Sequence, residues 1–222
     1  MRNYLKDIIL GGQDGLVNVL GILLAMAAAT QDVRLIIIAG LAATFAESLS
    51  MAGVGYTSTQ AIKDLYNKKL KEEEEESEEN LEEAKQEIKN IYYEKGFRGS
   101  LLNQIVSKIV SNKKVLVETM MREELNLSLD GYEHPIRNAL VIGFAAIVGS
   151  LIPLLPFFFV ENVMVGVVIA LIISVIALFV TGVYKARFTL GKWWKEGVEL
   201  ALVGMGAAVL GYGIGLLLGA VF

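Results

Sequence analysis

Five stretches of this chain, Ile8–Thr30, Leu35–Thr57, Ile136–Val160, Val163–Tyr184 and Val198–Val221, are each long and apolar enough to cross a lipid bilayer. A spanning helix needs about 20 mostly apolar residues. Inside the bilayer no water is available to satisfy backbone N–H and C=O groups, so segments of this length must be helical. The first stretch has some features of a signal peptide, since Met1 to Lys6 precedes it and Ala25–Ala29 closes it. Gln13, Asp14 and Asn18 interrupt its apolar run, so it is read as a retained helix. The expected fold is therefore all-α: a polytopic membrane protein with five transmembrane helices.

Of the 222 residues 54% are hydrophobic, and the charges are segregated. Most carboxylates and lysines fall between Lys63 and Arg137, in an insert between the second and third spans. The expected organisation is residues 1–60 as spans one and two, 61–134 as a polar helical domain, and 135–222 as spans three to five. The chain has no cysteine, which excludes disulfides, thiolate metal sites and cysteine nucleophiles. Lysine and arginine cluster at the N-terminus, in the insert and in Lys185–Lys195, whereas Arg34 is alone after the first span. The positive-inside rule places the N-terminus and the insert in the cytoplasm and the C-terminus on the opposite side. Cell-envelope and organelle membranes both fit this pattern. No nucleic-acid partner is expected.

Periodicity divides the insert into three helices. Leu81, Ala84, Ile88, Ile91 and Tyr92 form one apolar stripe that Gly96 and Gly99 terminate. Leu101, Leu102, Ile105, Val106 and Ile109 form a second. Val115–Leu127 forms a third, with Asn112 as its cap. In the spans, Pro153 and Pro156 should kink the third. Gly211, Gly215 and Gly219 give the fifth a small-residue face suited either to packing within the chain or to a dimer seam.

Ionisable groups within spans cost at least about 2.5 kcal/mol at a helix centre, so each invites a functional reading. Asp14 lies in the first span, with Asn18 one turn later on the same face. Glu47 lies near the middle of the second, with Met51 one turn on. A carboxylate, an amide and a thioether suit a divalent transition metal better than magnesium or calcium.

The insert carries the acidic run KEEEEESEENLEEAKQE. Glu75, Glu79, Glu83 and Glu87 follow one another at i, i+4, a spacing at which like charges destabilise a helix by about 0.2–0.5 kcal/mol per pair. Taken alone, the run reads as a solvated or frayed segment. The sequence VETMMREEL alters that reading, because Met120 and Glu124 are i, i+4 and Met121 and Glu124 are i, i+3. Thioether and carboxylate then share one edge, and the methionine pair is expected to be exposed there. His134, the single histidine, precedes Pro135 and is read as a helix-start residue.

Four motifs in order, KDIILGGQDGLVNVLGILLAMA, ESLSMAGVGY, TMMREEL and GSLIPLLPFF, resemble the vacuolar iron transporter family. The resemblance covers nearly the whole chain. It implies a homodimer that exports Fe(II), and also Mn(II), from the cytosol in exchange for protons. The family's aspartate and second-span methionine match Asp14 and Met51. Its cytoplasmic domain binds metal through glutamates and a methionine pair, matched by Met120, Met121 and Glu124. Glu73, Glu76 and Glu87 match the remaining glutamates by position, and Glu83 completes the set by a choice of register. One departure is visible: the plant type carries a second-span carboxylate two turns before the methionine, where this chain has Ala43, and Glu47 sits one turn later.

The reading is a metal carrier rather than an enzyme, with no catalytic residues. One alternative is a membrane-anchored sensor or storage protein that binds metal without moving it. A di-iron membrane enzyme is the weaker alternative, because such bundles use Glu-x-x-His pairs that this chain lacks.

Overall fold

Apolar residues all round a helix leave it nowhere to sit except a membrane or a large core. The computed structural model, which describes residues 2–129, 134–188 and 191–219, places five such helices in the chain. The protein is an integral membrane protein. The described residues contain eight α-helices and no strand: α1 (Arg2–Ala29), α2 (Val33–Glu79), α3 (Leu81–Glu94), α4 (Gly99–Val110), α5 (Lys113–Glu123), α6 (Pro135–Leu154), α7 (Val163–Ala186) and α8 (Trp193–Gly219). They divide into two compact units, Met1–Tyr56 with Pro135–Phe222, and Thr57–His134.

The first unit is organised around α1, which packs against α6, α7 and α8. Val19, Leu20, Leu23, Leu24 and Ala27 of α1 meet Ile36, Leu154, Phe157, Val163, Val167, Ala170 and Ala208 in one buried cluster. Outside that cluster the surface remains apolar, with Phe45, Leu49, Phe144, Ile176 and Leu217 exposed. Such a surface suits lipid rather than water. Small residues set the helix spacing. A Cβ on Gly15 would lie 2.3 Å from the Ala146 carbonyl oxygen, and one on Gly149 would lie 2.0 Å from that of Gly12, so α1 and α6 meet backbone to backbone. Gly211 and Gly215 likewise rest on the backbone of Gly21 and Ala25, so these two glycines of α8 serve packing within the chain.

The prolines act more sharply than a kink. Neither Pro153 nor Pro156 can donate a backbone hydrogen bond. The α-helix stops at Leu154 and tightens into a 3-10 turn over Leu155–Phe158. The Pro156 carbonyl there accepts from the Phe159 and Val160 amides at 3.0 and 3.1 Å. At the start of α7 the Asn162 Oδ1 accepts from the Val165 amide at 3.1 Å and caps the helix. The fifth span begins at Trp193, five residues before the apolar run alone indicates.

The second unit contains the end of α2 and all of α3, α4 and α5. The acidic run is not frayed: α2 continues through it to Glu79, and Asn80 alone separates α2 from α3. Lysines interleaved with the glutamates offset the like-charge repulsion, as Lys69 lies 2.6 Å from Glu72 and Lys71 lies 3.6 Å from Glu75. Ala84 and Ile88 of α3 pack on Leu102, Val106 and Ile109 of α4 and on Leu116 and Met120 of α5. Leu81 and Leu101, assigned to those apolar stripes from periodicity, are instead exposed. Gly96 turns the chain with φ +97, and Arg98 then stacks 3.5 Å from the Tyr93 ring centre. Asn112 caps α5 by accepting from the Val115 amide. His134 is exposed and immediately precedes α6.

Candidate metal sites

Two groups of candidate side chains form, one in each unit. In the membrane unit, α1 supplies Asp14 and Asn18 and α2 supplies Glu47 and Met51. The glycines of α1 face α6, while Asp14 is half-buried and Asn18 is exposed. The Glu47 carboxyl group of α2 comes close enough to Asp14 and Asn18 of α1 to interact with both. Ionised carboxylates only accept hydrogen bonds, so two in contact require a proton or a cation between them. This contact is therefore a place where the two can exchange.

The neighbouring polar groups of α2 are already satisfied. The Thr44 hydroxyl donates to the Gly40 carbonyl at 2.8 Å and the Ser48 hydroxyl to that of Thr44 at 2.6 Å, both buried. Ala43, one turn before Glu47, packs against the apolar cluster around α1. Glu47 is thus the α2 carboxylate that meets Asp14. Met51 is half-buried one turn further on. Asp7, also half-buried, lies seven residues before Asp14 on the same stripe of α1. The sequence reading missed it by starting the span at Ile8; the 7, 14, 18 spacing was the available signal.

In the second unit two groups of glutamates stand apart. Glu72, Glu75 and Glu82 lie within salt-bridge distance of lysines on their own helices, and Glu78 and Glu123 pair with Lys113 and Lys95. Glu73, Glu76, Glu83, Glu87 and Glu124 have no such lysine and act on one another instead. Glu73 is 6% exposed, and its Oε2 has no hydrogen-bond partner. Burial pushes its carboxyl above the usual range, and the charges of Glu124, Glu76 and Glu87 push it further, with Lys69 opposing. Burial likewise raises Glu87, followed by Glu124, Glu83 and Glu76. Among the described residues no three of these groups are drawn tightly enough to grip an ion as they stand. The arrangement is a set of mutually repelling carboxylates around one buried, unpartnered oxygen, a set that a divalent cation would draw together.

The methionine pair corrects an expectation. Met120 and Met121 are 3% and 1% exposed, not presented to solvent. Their helix uses Leu116, Val117, Met120 and Met121 as its buried face, and Met120 belongs to the apolar cluster with Ile88 and Leu102. Glu124 caps the same helix, its amide donating to the Met120 carbonyl at 2.9 Å. The thioethers therefore lie behind the carboxylates rather than beside them at the surface.

The sequence profile of the VIT family matches residues 5–216. Vacuolar iron transporter 1 of Arabidopsis thaliana is 29% identical over 90% of this chain and 80% of its own length. The vacuolar iron transporter of Toxoplasma gondii (strain ATCC 50861 / VEG) is 31% identical over 97% of this chain and 74% of its own. Vacuolar iron transporter 1 of Tulipa gesneriana is 28% identical over 95% and 85%.

Proposed function

Since this chain belongs to the VIT family, we propose that it carries a divalent transition metal across the membrane, with Fe(II) as its main substrate and Mn(II) as a second, out of the cytosol and against a counterflow of protons. The observation that carries this reading is the contact of Glu47 with Asp14 and Asn18 inside the membrane unit. Metal displaces the proton that two touching carboxyls need, and the returning proton displaces the metal. Exchange at one site is the simplest chemistry of an antiporter. Met51 adds a polarisable donor that favours Fe(II) over harder ions.

The insert is assigned to metal capture, with Glu73, Glu76, Glu83, Glu87 and Glu124 as oxygen donors and Met120 and Met121 as donors reached by a small adjustment of α5. Support comes from the unpartnered Glu73 oxygen and from the lysine pairing that occupies Glu72, Glu75 and Glu82. The N-terminus and insert are assigned to the cytosol from the distribution of lysine and arginine. Exposure of Asn18 beside the Asp14–Glu47 contact supports a homodimer closed over that face.

The test is metal flux in proteoliposomes of full-length protein with an acidic lumen, comparing Fe(II), Mn(II), Co(II) and Zn(II). Asp14→Ala is expected to abolish flux while leaving metal binding by the insert intact. Parent-like flux from Asp14→Ala would refute the path. Binding without flux in the parent protein would favour the sensor or storage alternative.

A further inference from the structure

The membrane unit has an apolar groove of about 830 Å³ between α1, α6 and α7. Its walls run from Tyr4 to Leu16 on α1, from Val141 to Ile152 on α6, and from Leu178 to Phe188 at the end of α7. The α1 wall is about 18 Å long at 1.5 Å per residue. Half of a hydrocarbon core is about 15 Å. The groove is therefore one leaflet deep, opening at the end of the bundle that holds the N-terminus.

Its position on α1 separates it from the metal path. Leu5, Ile8, Gly12 and Leu16 line it, whereas Asp14 projects from the opposite side of the helix at 100° per residue. A second copy seated over Asp14 leaves this groove facing lipid. At its mouth Arg137, in the first turn of α6, stacks 4.3 Å from the ring centre of Tyr4, a groove residue. Arg137 is exposed and has no carboxylate partner among the described residues. A guanidinium over a ring centre still carries five N–H donors in a fork that suits phosphate.

We propose that this groove binds one anionic glycerophospholipid, its acyl chains lying between α1, α6 and α7 and its phosphate on Arg137. Basic positions between spanning helices attract anionic headgroups, at about 1 kcal/mol per residue. One guanidinium therefore gives about a fivefold preference over a zwitterionic lipid with the same chains. The apolar walls supply affinity without distinguishing headgroups.

The test uses metal-free, full-length protein in detergent, titrated with phosphatidylglycerol or phosphatidylcholine of identical chains, with retained lipid counted by native mass spectrometry. The parent protein is expected to retain one phosphatidylglycerol per chain with about fivefold preference. Arg137→Gln should equalise the two lipids while retaining both. Val148→Trp, which fills the groove from a half-exposed lining position, should lose both. Leu202→Trp, at an exposed position on α8 outside the groove, should behave as the parent and controls for the added indole. Equal retention of the two lipids by the parent, preference surviving Arg137→Gln, or parent-like retention by Val148→Trp would each overturn the proposal. Because no flux or metal is measured, failure here leaves the transport reading standing, and the reverse holds as well.

Discussion

Chemistry at the scale of single residues rests on carboxyl groups that are too close to one another. Glu47 meets Asp14 where neither has a basic partner, so neutralising Glu47 should loosen the tie between metal and proton without closing the path. Glu47→Gln is expected to lower Fe(II) flux by about 10- to 100-fold, the range typical of groups that support a metal site. Its remaining flux should respond less to lumenal pH; a parent-like pH dependence in vesicles would remove Glu47 from proton coupling. In the insert, the raised Glu73 and Glu87 groups make stability depend on pH in a definite direction. Their protonated forms are favoured by the fold, so their contribution is fully present below the unfolded carboxyl value of about 4.3 and is lost as pH rises through their raised folded values. Metal-free protein should therefore show an insert that loosens between mildly acidic and neutral pH, while added Mn(II) restores it at neutral pH. Hydrogen exchange of α3 and α5 amides measures this directly. Glu73→Gln should flatten the pH dependence and weaken Mn(II) binding together; one effect without the other would separate Glu73 from the metal set.

At the scale of elements, close approach between helices is set by glycines that only some positions require. Gly149 has no room for a Cβ against the Gly12 carbonyl, whereas Gly53 has nothing within 4 Å. Gly149→Ala should therefore destabilise the membrane unit by about 1–3 kcal/mol through overpacking, and Gly53→Ala should not. Thermal unfolding in detergent distinguishes them, and equal melting would mean that the α1–α6 seam is not close-packed. The same scale explains why α2 was only half legible. Its apolar part announces itself by length and composition, but the Glu run reads as self-repelling until the lysine partners are placed. Lys69 with Glu72 and Lys71 with Glu75 are three and four residues apart in sequence and so were visible. What the sequence did not contain was the burial of Glu73 and Ser77 that fixes the inner face of that helix.

For the molecule as a whole, the polar face of α1 and α2 is incomplete in one chain. Asn18 is exposed within a membrane span, and a second copy is expected to cover it. The chain has no cysteine, so Asn18→Cys introduces a single thiol. Oxidation in native membranes is expected to give a cross-linked dimer, whereas Phe144→Cys, exposed in the apolar groove on another helix, is expected to remain monomeric on denaturing gels. Equal cross-linking of the two variants would reject the assigned face.

The sequence alone determined the class of this protein, because a bilayer accepts only long apolar helices and tolerates a carboxylate inside one only at a cost. Span number, the insert, the pairing of Asp14 with Asn18 along one face and of Glu47 with Met51 along another all follow from period and length. Tertiary structure decided what those faces meet. It brought Glu47 of one helix against Asp14 of another, turned Ala43 into the core, separated the free glutamates from those held by lysine, and buried Met120 and Met121 that the sequence placed at the surface. Those outcomes depend on which helices pack together, and a methionine fits a core as well as it fits a metal edge. Period along a chain fixes which residues share a face; only packing between helices fixes whether that face meets lipid, a carboxylate or the core.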